Sequence, residues 1–166
     1  TKQIEVSPLL KHRALKTPKK IQIPFSEKEV DAVLEHLQNP SGFEAIRDKL
    51  IIDLFYTTGM RRTELIHLKM ANVNFASSTI KVLGKRNKER IVPILSVINC
   101  QFESYILERS ILEKITDAEY FFLTKKGIKI NESFVYRLIN SYFSTVSDKI
   151  KKRQQILRHT FTTHLL

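Results

Sequence analysis

The stretch FEAIRDKLIIDLFYTTG, residues 43–59, constrains this chain most. It reads as a helix, and it is apolar enough that such a helix must be mostly buried. Gly59 is its natural C-terminal stop, because glycine takes left-handed backbone without steric cost. A helix of that kind needs other elements to cover it. The chain has 166 residues, 42% of them hydrophobic and spread along its length, which is enough for one domain with a real core.

The flanking segments supply the cover. In FSEKEVDAVLEHLQNPSG, Ser26 and Glu29 form a capping box, Val30, Val33, Leu34 and Leu37 repeat at helical spacing, and Asn39-Pro40 with Gly42 ends the run. A short helix, RRTELIHLK, follows Gly59. STIKVLGKRNKERIVPIL then places β-branched residues on both sides of a Gly-Lys-Arg-Asn-Lys turn and reads as a hairpin. SVINCQFESYILERSILEKI reads as an amphipathic helix, and EYFFLTKKGIKI as an extended piece around a Lys-Lys-Gly turn. Asn131 caps a last clear helix, with Phe134, Leu138 and Tyr142 on one face. The expected class is mainly α with a small antiparallel β-sheet (α+β). Residues 1–24 hold three of the five prolines and read as a basic linker or arm, which leaves residues 25–166 as the domain.

Composition narrows the partners. No run is long enough to span a membrane, and the first twenty residues are too polar for a signal peptide. A single cysteine, Cys100, excludes an internal disulfide framework and suits a reducing, intracellular setting. Lys and Arg number 28 against 17 Asp and Glu, a net charge of +11, which favours a polyanion such as nucleic acid. The cations cluster: Lys11 to Lys20, then Lys81, Lys85, Arg86, Lys88 and Arg90, then Lys149, Lys151, Lys152 and Arg153. An acidic membrane surface fits less well, since no basic amphipathic helix with aromatic anchors is visible.

Two segments place arginine where a helix begins, against the helix dipole. Arg61 and Arg62 follow Gly59, and Arg158 opens ILRHTFTTHLL. Such arginines either point to solvent or wait for an anion, and a guanidinium offers phosphate two parallel N–H donors. Lys85 in the hairpin turn is either solvated or set to protonate a departing alkoxide. His159 and His164 are five apart, the wrong spacing for a helical zinc pair, so no metal site is expected.

Three of these segments together resemble the tyrosine recombinases, the family of phage and transposon integrases and Xer-type resolvases. TTGMRRTELIHLK is similar to the first arginine box, VLGKRNKERIVPI to the hairpin lysine segment and ILRHTFTTHLL to the second arginine box, in the family's order. The resemblance implies that Arg61 and Arg158 hold the scissile phosphate and that Lys85 is the proton donor to the leaving 5′-oxygen. It implies that Glu64 supports Arg61, and that His159 has a largely structural part. Gln155 stands where the family usually has histidine. It can donate a hydrogen bond to phosphate but cannot shuttle a proton. Arg62, Arg86, Lys88, Arg90, Lys151, Lys152 and Arg153 are expected to grip the DNA backbone.

The implied reaction cuts and rejoins DNA strands through a 3′-phosphotyrosyl intermediate, as in site-specific recombination and the integration of mobile elements, with no cofactor and no metal. The implied partner is double-stranded DNA, engaged as a tetrameric synapse by a longer parent and by a monomer of this fragment. The implied location is the cytoplasm, at the nucleoid when DNA is bound. Tyr56, Tyr105, Tyr120, Tyr136 and Tyr142 all precede the second arginine box and read as packing residues, so no nucleophile is expected in this chain. The chain then reads as a partial catalytic domain, inert alone. The competing reading is an inactive DNA-binding module derived from a recombinase, which Gln155 favours.

Overall fold

A computed structural model describes residues 25–84 and 88–146. Helix α1 (Glu27–His36) starts as its sequence dictates: the Ser26 backbone N–H donates to Glu29 Oε2 at 2.7 Å, and the Ser26 hydroxyl accepts from the Glu29 backbone N–H. Helix α2 (Gly42–Thr58) is buried all round, with Leu50, Ile51, Ile52, Leu54 and Phe55 fully inaccessible. Consecutive residues of a helix point in different directions, so such a run forces cover on every side. Gly59 ends it at φ 57°, as expected.

Helix α3 (Arg62–Ile66) is short and leads through a 3-10 turn, Met70–Asn72, to the sheet. Three antiparallel strands lie in the order β1 (Val73–Asn74), β2 (Thr79–Leu83), β3 (Glu89–Pro93). The hairpin of β2 and β3 pairs Ile80 with Val92 and Leu83 with Glu89, so Ile80, Val82 and Val92 face the core and Lys81, Leu83 and Ile91 face outward. Strand β1, two residues long, is too short to leave a period in the sequence. At the hairpin end the Gly84 N–H donates to the Lys88 carbonyl at 2.8 Å.

Helix α4 (Ser96–Ser110) packs on α2 and stops earlier than its apolar pattern suggested. Ile111 is exposed beyond its end, while Leu112 and Ile115 lean on the core from a loop. That loop is anchored by Tyr105, whose buried hydroxyl donates to the Phe121 carbonyl and accepts from the Leu123 N–H, both at 3.0 Å. The expected Lys-Lys-Gly turn is present: Leu123 bridges Lys129, and Gly127 sits at φ 68°. A Cβ there would lie 1.9 Å from the Lys114 carbonyl oxygen, so only glycine fits.

Helix α5 (Glu132–Phe143) is capped by Asn131, whose Oδ1 accepts from the Phe134 N–H at 2.8 Å. Its buried stripe is Val135, Leu138, Ile139 and Phe143; Phe134 and Tyr142 lie at the stripe's margin, half-buried. The Phe143 ring stacks on Phe25 at 4.3 Å between centroids. Arg47 of α2 is 2% exposed and carries charge into this core. Asp48 Oδ1 lies 2.8 Å from its Nε and 2.7 Å from its Nη2, its Nη1 donates to the Leu123 carbonyl, and its guanidinium covers the Phe134 ring at 4.5 Å. Burial raises the Asp48 carboxyl above its usual range despite the attraction of Arg47.

Candidate active site

The site is organised around Glu64 in α3. Arg61 is the N-cap of that helix, in extended backbone at φ −79° and ψ 151°. Arginine has no acceptor with which to cap a helix. Glu64, three residues on, supplies the capping contact from the other side: its Oε2 accepts from the Arg61 backbone N–H at 2.7 Å. Its Oε1 accepts from Arg61 Nη1, also at 2.7 Å. The arginine at the helix start is therefore matched by a carboxylate of its own first turn, which removes the mismatch with the dipole that the sequence suggested.

A second guanidinium joins them. Arg90 of β3 donates from Nη2 to Glu64 Oε2 at 2.8 Å. The Glu64 side chain is 1% exposed, whereas those of Arg61 and Arg90 are 37% and 41% exposed. Burial alone would raise the Glu64 carboxyl, but the N–H donors of Arg61 and Arg90 outweigh it and hold the group below its ordinary value. The carboxylate is thus ionised, and two cations surround one anion. The cluster keeps a net positive charge and turns guanidinium surface outward, an arrangement that suits a phosphate.

The first arm of the hairpin reaches the same place at Gly84. A Cβ on Gly84 would lie 3.7 Å from Arg61 Nη1 and 3.8 Å from Glu64 Oε1. The residue before Lys85 is therefore in contact range of the Arg61–Glu64 pair.

Not every expected residue gathers here. Arg62 turns to α5 and pairs with Glu132, so it ties two helices together and is not a free cation of the surface. Lys88 is exposed at the start of the return strand. Lys85, Arg86, Lys151, Lys152, Arg153, Gln155, Arg158 and His159 lie outside the described residues. Among the described residues, no group of His, Cys, Asp and Glu could hold a metal ion, and no helix is long and apolar enough to cross a membrane.

The tyrosines divide. Tyr105 is fully buried and doubly hydrogen-bonded, with its phenol pushed up to about 12 by burial. Tyr56, Tyr120 and Tyr142 pack half-buried against the core. Tyr136 departs from the packing role expected of it: it is 51% exposed, on the outer face of α5.

The Arg90–Glu64 pair was not foreseen, and it spans 26 residues of sequence. The only available signal is the lone Arg of an exposed strand position following a basic turn. Solvated cations give the same signal.

The short helix entered through an arginine braced by its own glutamate, with a hairpin laid against it, is built from the segments that resemble the first arginine box and the hairpin lysine segment of the integrases. The phage integrase family model matches residues 24–166, and the chain belongs to that family. Among its relatives, tyrosine recombinase XerD of Staphylococcus aureus is 38% identical over 142 residues, covering 82% of this chain and 48% of the relative. Tyrosine recombinase XerC of Staphylococcus epidermidis is 34% identical over 142 residues, covering 86% and 47%. The chain spans about half the length of these relatives. The crystal structure of XerA recombinase superposes with a TM-score of 0.73 at 27% identity, covering 92% of this chain and 52% of that one. XerH site-specific recombinase bound to palindromic difH substrate has the same fold, with a TM-score of 0.74 at 24% identity over 88% of this chain and 42% of its own.

Proposed function

We propose that this chain is the DNA-engaging part of the catalytic domain of a site-specific tyrosine recombinase. The observation that carries the reading is Arg61, half-exposed and held by the buried Glu64, with Gly84, the residue before Lys85, beside the pair. Arg61 holds a non-bridging oxygen of the scissile phosphate and Arg158 holds another. Their charges stabilise the pentacoordinate phosphorus as negative charge builds up. Lys85 gives a proton to the leaving 5′-oxygen. Gln155 donates a hydrogen bond to the phosphate, and His159 has a largely structural part. Glu64 keeps Arg61 in place without touching DNA. The nucleophile is a tyrosine outside these 166 residues: in the family's order it follows the second arginine box, which all five tyrosines here precede, the exposed Tyr136 included, and Tyr105 is in addition sequestered. The longer protein acts as a tetramer on two duplexes.

Duplex binding is tested by fluorescence anisotropy between about 50 and 200 mM salt. Each phosphate neutralised adds about 0.9 to the slope of log affinity against log salt. A flat response refutes the DNA reading. A nicked suicide duplex tests the chemistry. The 166-residue chain yields no covalent adduct, and the recombinase carrying its native downstream residues yields one that Arg158→Ala abolishes. Gln155 at the histidine position favours the second reading, an inactive DNA-binding module. In that case the longer protein binds DNA but forms no adduct, with or without Gln155→His.

A further inference from the structure

We infer that Arg90 is a positioning residue: by holding Glu64 Oε2 from the strand side, it fixes the carboxylate that aims Arg61. This rests on the function proposed above and changes the role that Arg90's place in a basic segment suggested, a grip on the DNA backbone. The geometry is specific. Oε2 receives two donors, Arg90 Nη2 at 2.8 Å and the Arg61 backbone N–H at 2.7 Å, leaving Oε1 to Arg61 Nη1. A carboxylate held at one oxygen by two donors from different elements cannot swing about its terminal torsion. Its second oxygen then presents to the guanidinium from one direction only. Arg90 and Gly84 lie on the two arms of one hairpin, and Gly84 borders the same pair. Arg90 thus also sets the height of the hairpin against the start of α3.

Backbone grip and positioning make opposite predictions. Arg90→Ala is on an edge strand with a 41% exposed side chain, so the variant folds, as far-UV circular dichroism will check. First, the Glu64 carboxyl is titrated by carbon-13 NMR without DNA. Among the described residues, the charged groups facing it are Arg61 and Arg90. Removing Arg90 moves its midpoint upward, by about one pH unit or more, while Arg90→Lys restores part of the shift. Second, the salt slope of duplex binding is compared with that of Lys88→Ala. Lys88→Ala lowers the slope by about one, whereas Arg90→Ala leaves it unchanged. Third, in the longer recombinase, Arg90→Ala slows single-turnover cleavage at saturating DNA, and the loss vanishes in a Glu64→Gln background, because the two residues act as one unit. An unmoved Glu64 midpoint overturns the proposal. So does a slope reduced by about one, or additive losses in the double variant. The DNA-free titration keeps this inference separable from the proposed function, whose own failure is wild-type protein that does not bind duplex.

Discussion

Replacing Arg47 by Met tests how the core tolerates its one deeply buried cation among the described residues. Met preserves the length and apolar stem of the side chain, so packing against Phe43 and Phe134 survives in part. The loss falls on Asp48, whose side chain is 16% exposed and which would then keep a charge without its close partner. Breaking a buried pair from one side costs about 3–5 kcal/mol. The Leu123 carbonyl also loses a donor, which adds about 1 kcal/mol. Some relief comes from Tyr142, which hydrogen-bonds Asp48. With that relief offsetting the lost Leu123 donor, a total of about 3–5 kcal/mol is expected, read by urea unfolding followed by far-UV circular dichroism, since the chain has no tryptophan. The pH dependence has a definite sign. The Asp48 carboxyl is already raised, and a raised acid contributes stability below its unfolded pKa that is lost as pH rises through the folded one. Without Arg47 that pKa rises further, so Arg47→Met recovers relative to wild type in mild acid. Arg47→Met with Asp48→Asn should regain most of the loss. A single-variant cost under about 1 kcal/mol, or a double variant no better than the single, would refute this account of the core.

Tyr105→Phe removes the partner of the Leu123 N–H and of the Phe121 carbonyl, and should cost about 1–3 kcal/mol by the same unfolding measurement. Since the phenol is raised to about 12, wild-type stability should fall as pH climbs from about 10 toward that value, a loss that Tyr105→Phe lacks. Gly127→Ala meets both a left-handed φ and the Lys114 carbonyl, and should destabilise by more than the roughly 1–3 kcal/mol of backbone strain alone, measured as the shift in urea midpoint. Glu64 is held below its ordinary range, so it contributes stability above that range which is lost as pH falls through its lowered pKa. Glu64→Gln should flatten that part of the acid-unfolding curve.

What could be read in advance was whatever a single segment decides. Ser26 with Glu29, Gly59 and Asn131 are caps, and a cap is made by residues within one turn of each other. The support of Arg61 by Glu64 is what the family resemblance implied, and the two side chains do meet, at 2.7 Å. Contacts across the chain left no local trace: Arg90 to Glu64, Arg62 to Glu132 and Arg47 to Leu123 each depend on how elements dock. Helix α4 ends before its apolar pattern does, because Leu112 and Ile115 continue a pattern that the loop, and not the helix, buries. Tyr136 differs from expectation because aromatic character in an amphipathic helix does not by itself fix the face, and this residue lies off the buried stripe.

The stacked rings of Phe25 and Phe143 bear on how the domain assembles in time. They join the first described residue to the last residue of α5, so the loop they close takes in nearly all of the described chain. Closing a loop that long costs entropy before any contact rewards it, and the cost grows with the logarithm of its length. Such a contact belongs to the final stage of folding, after the α2–α4 pair and the hairpin have formed from nearer neighbours. Truncating Phe143 should then speed unfolding while leaving the folding rate almost untouched. The clasp between Phe25 and Phe143 thus acts as a latch on the native state and takes no part in its nucleation.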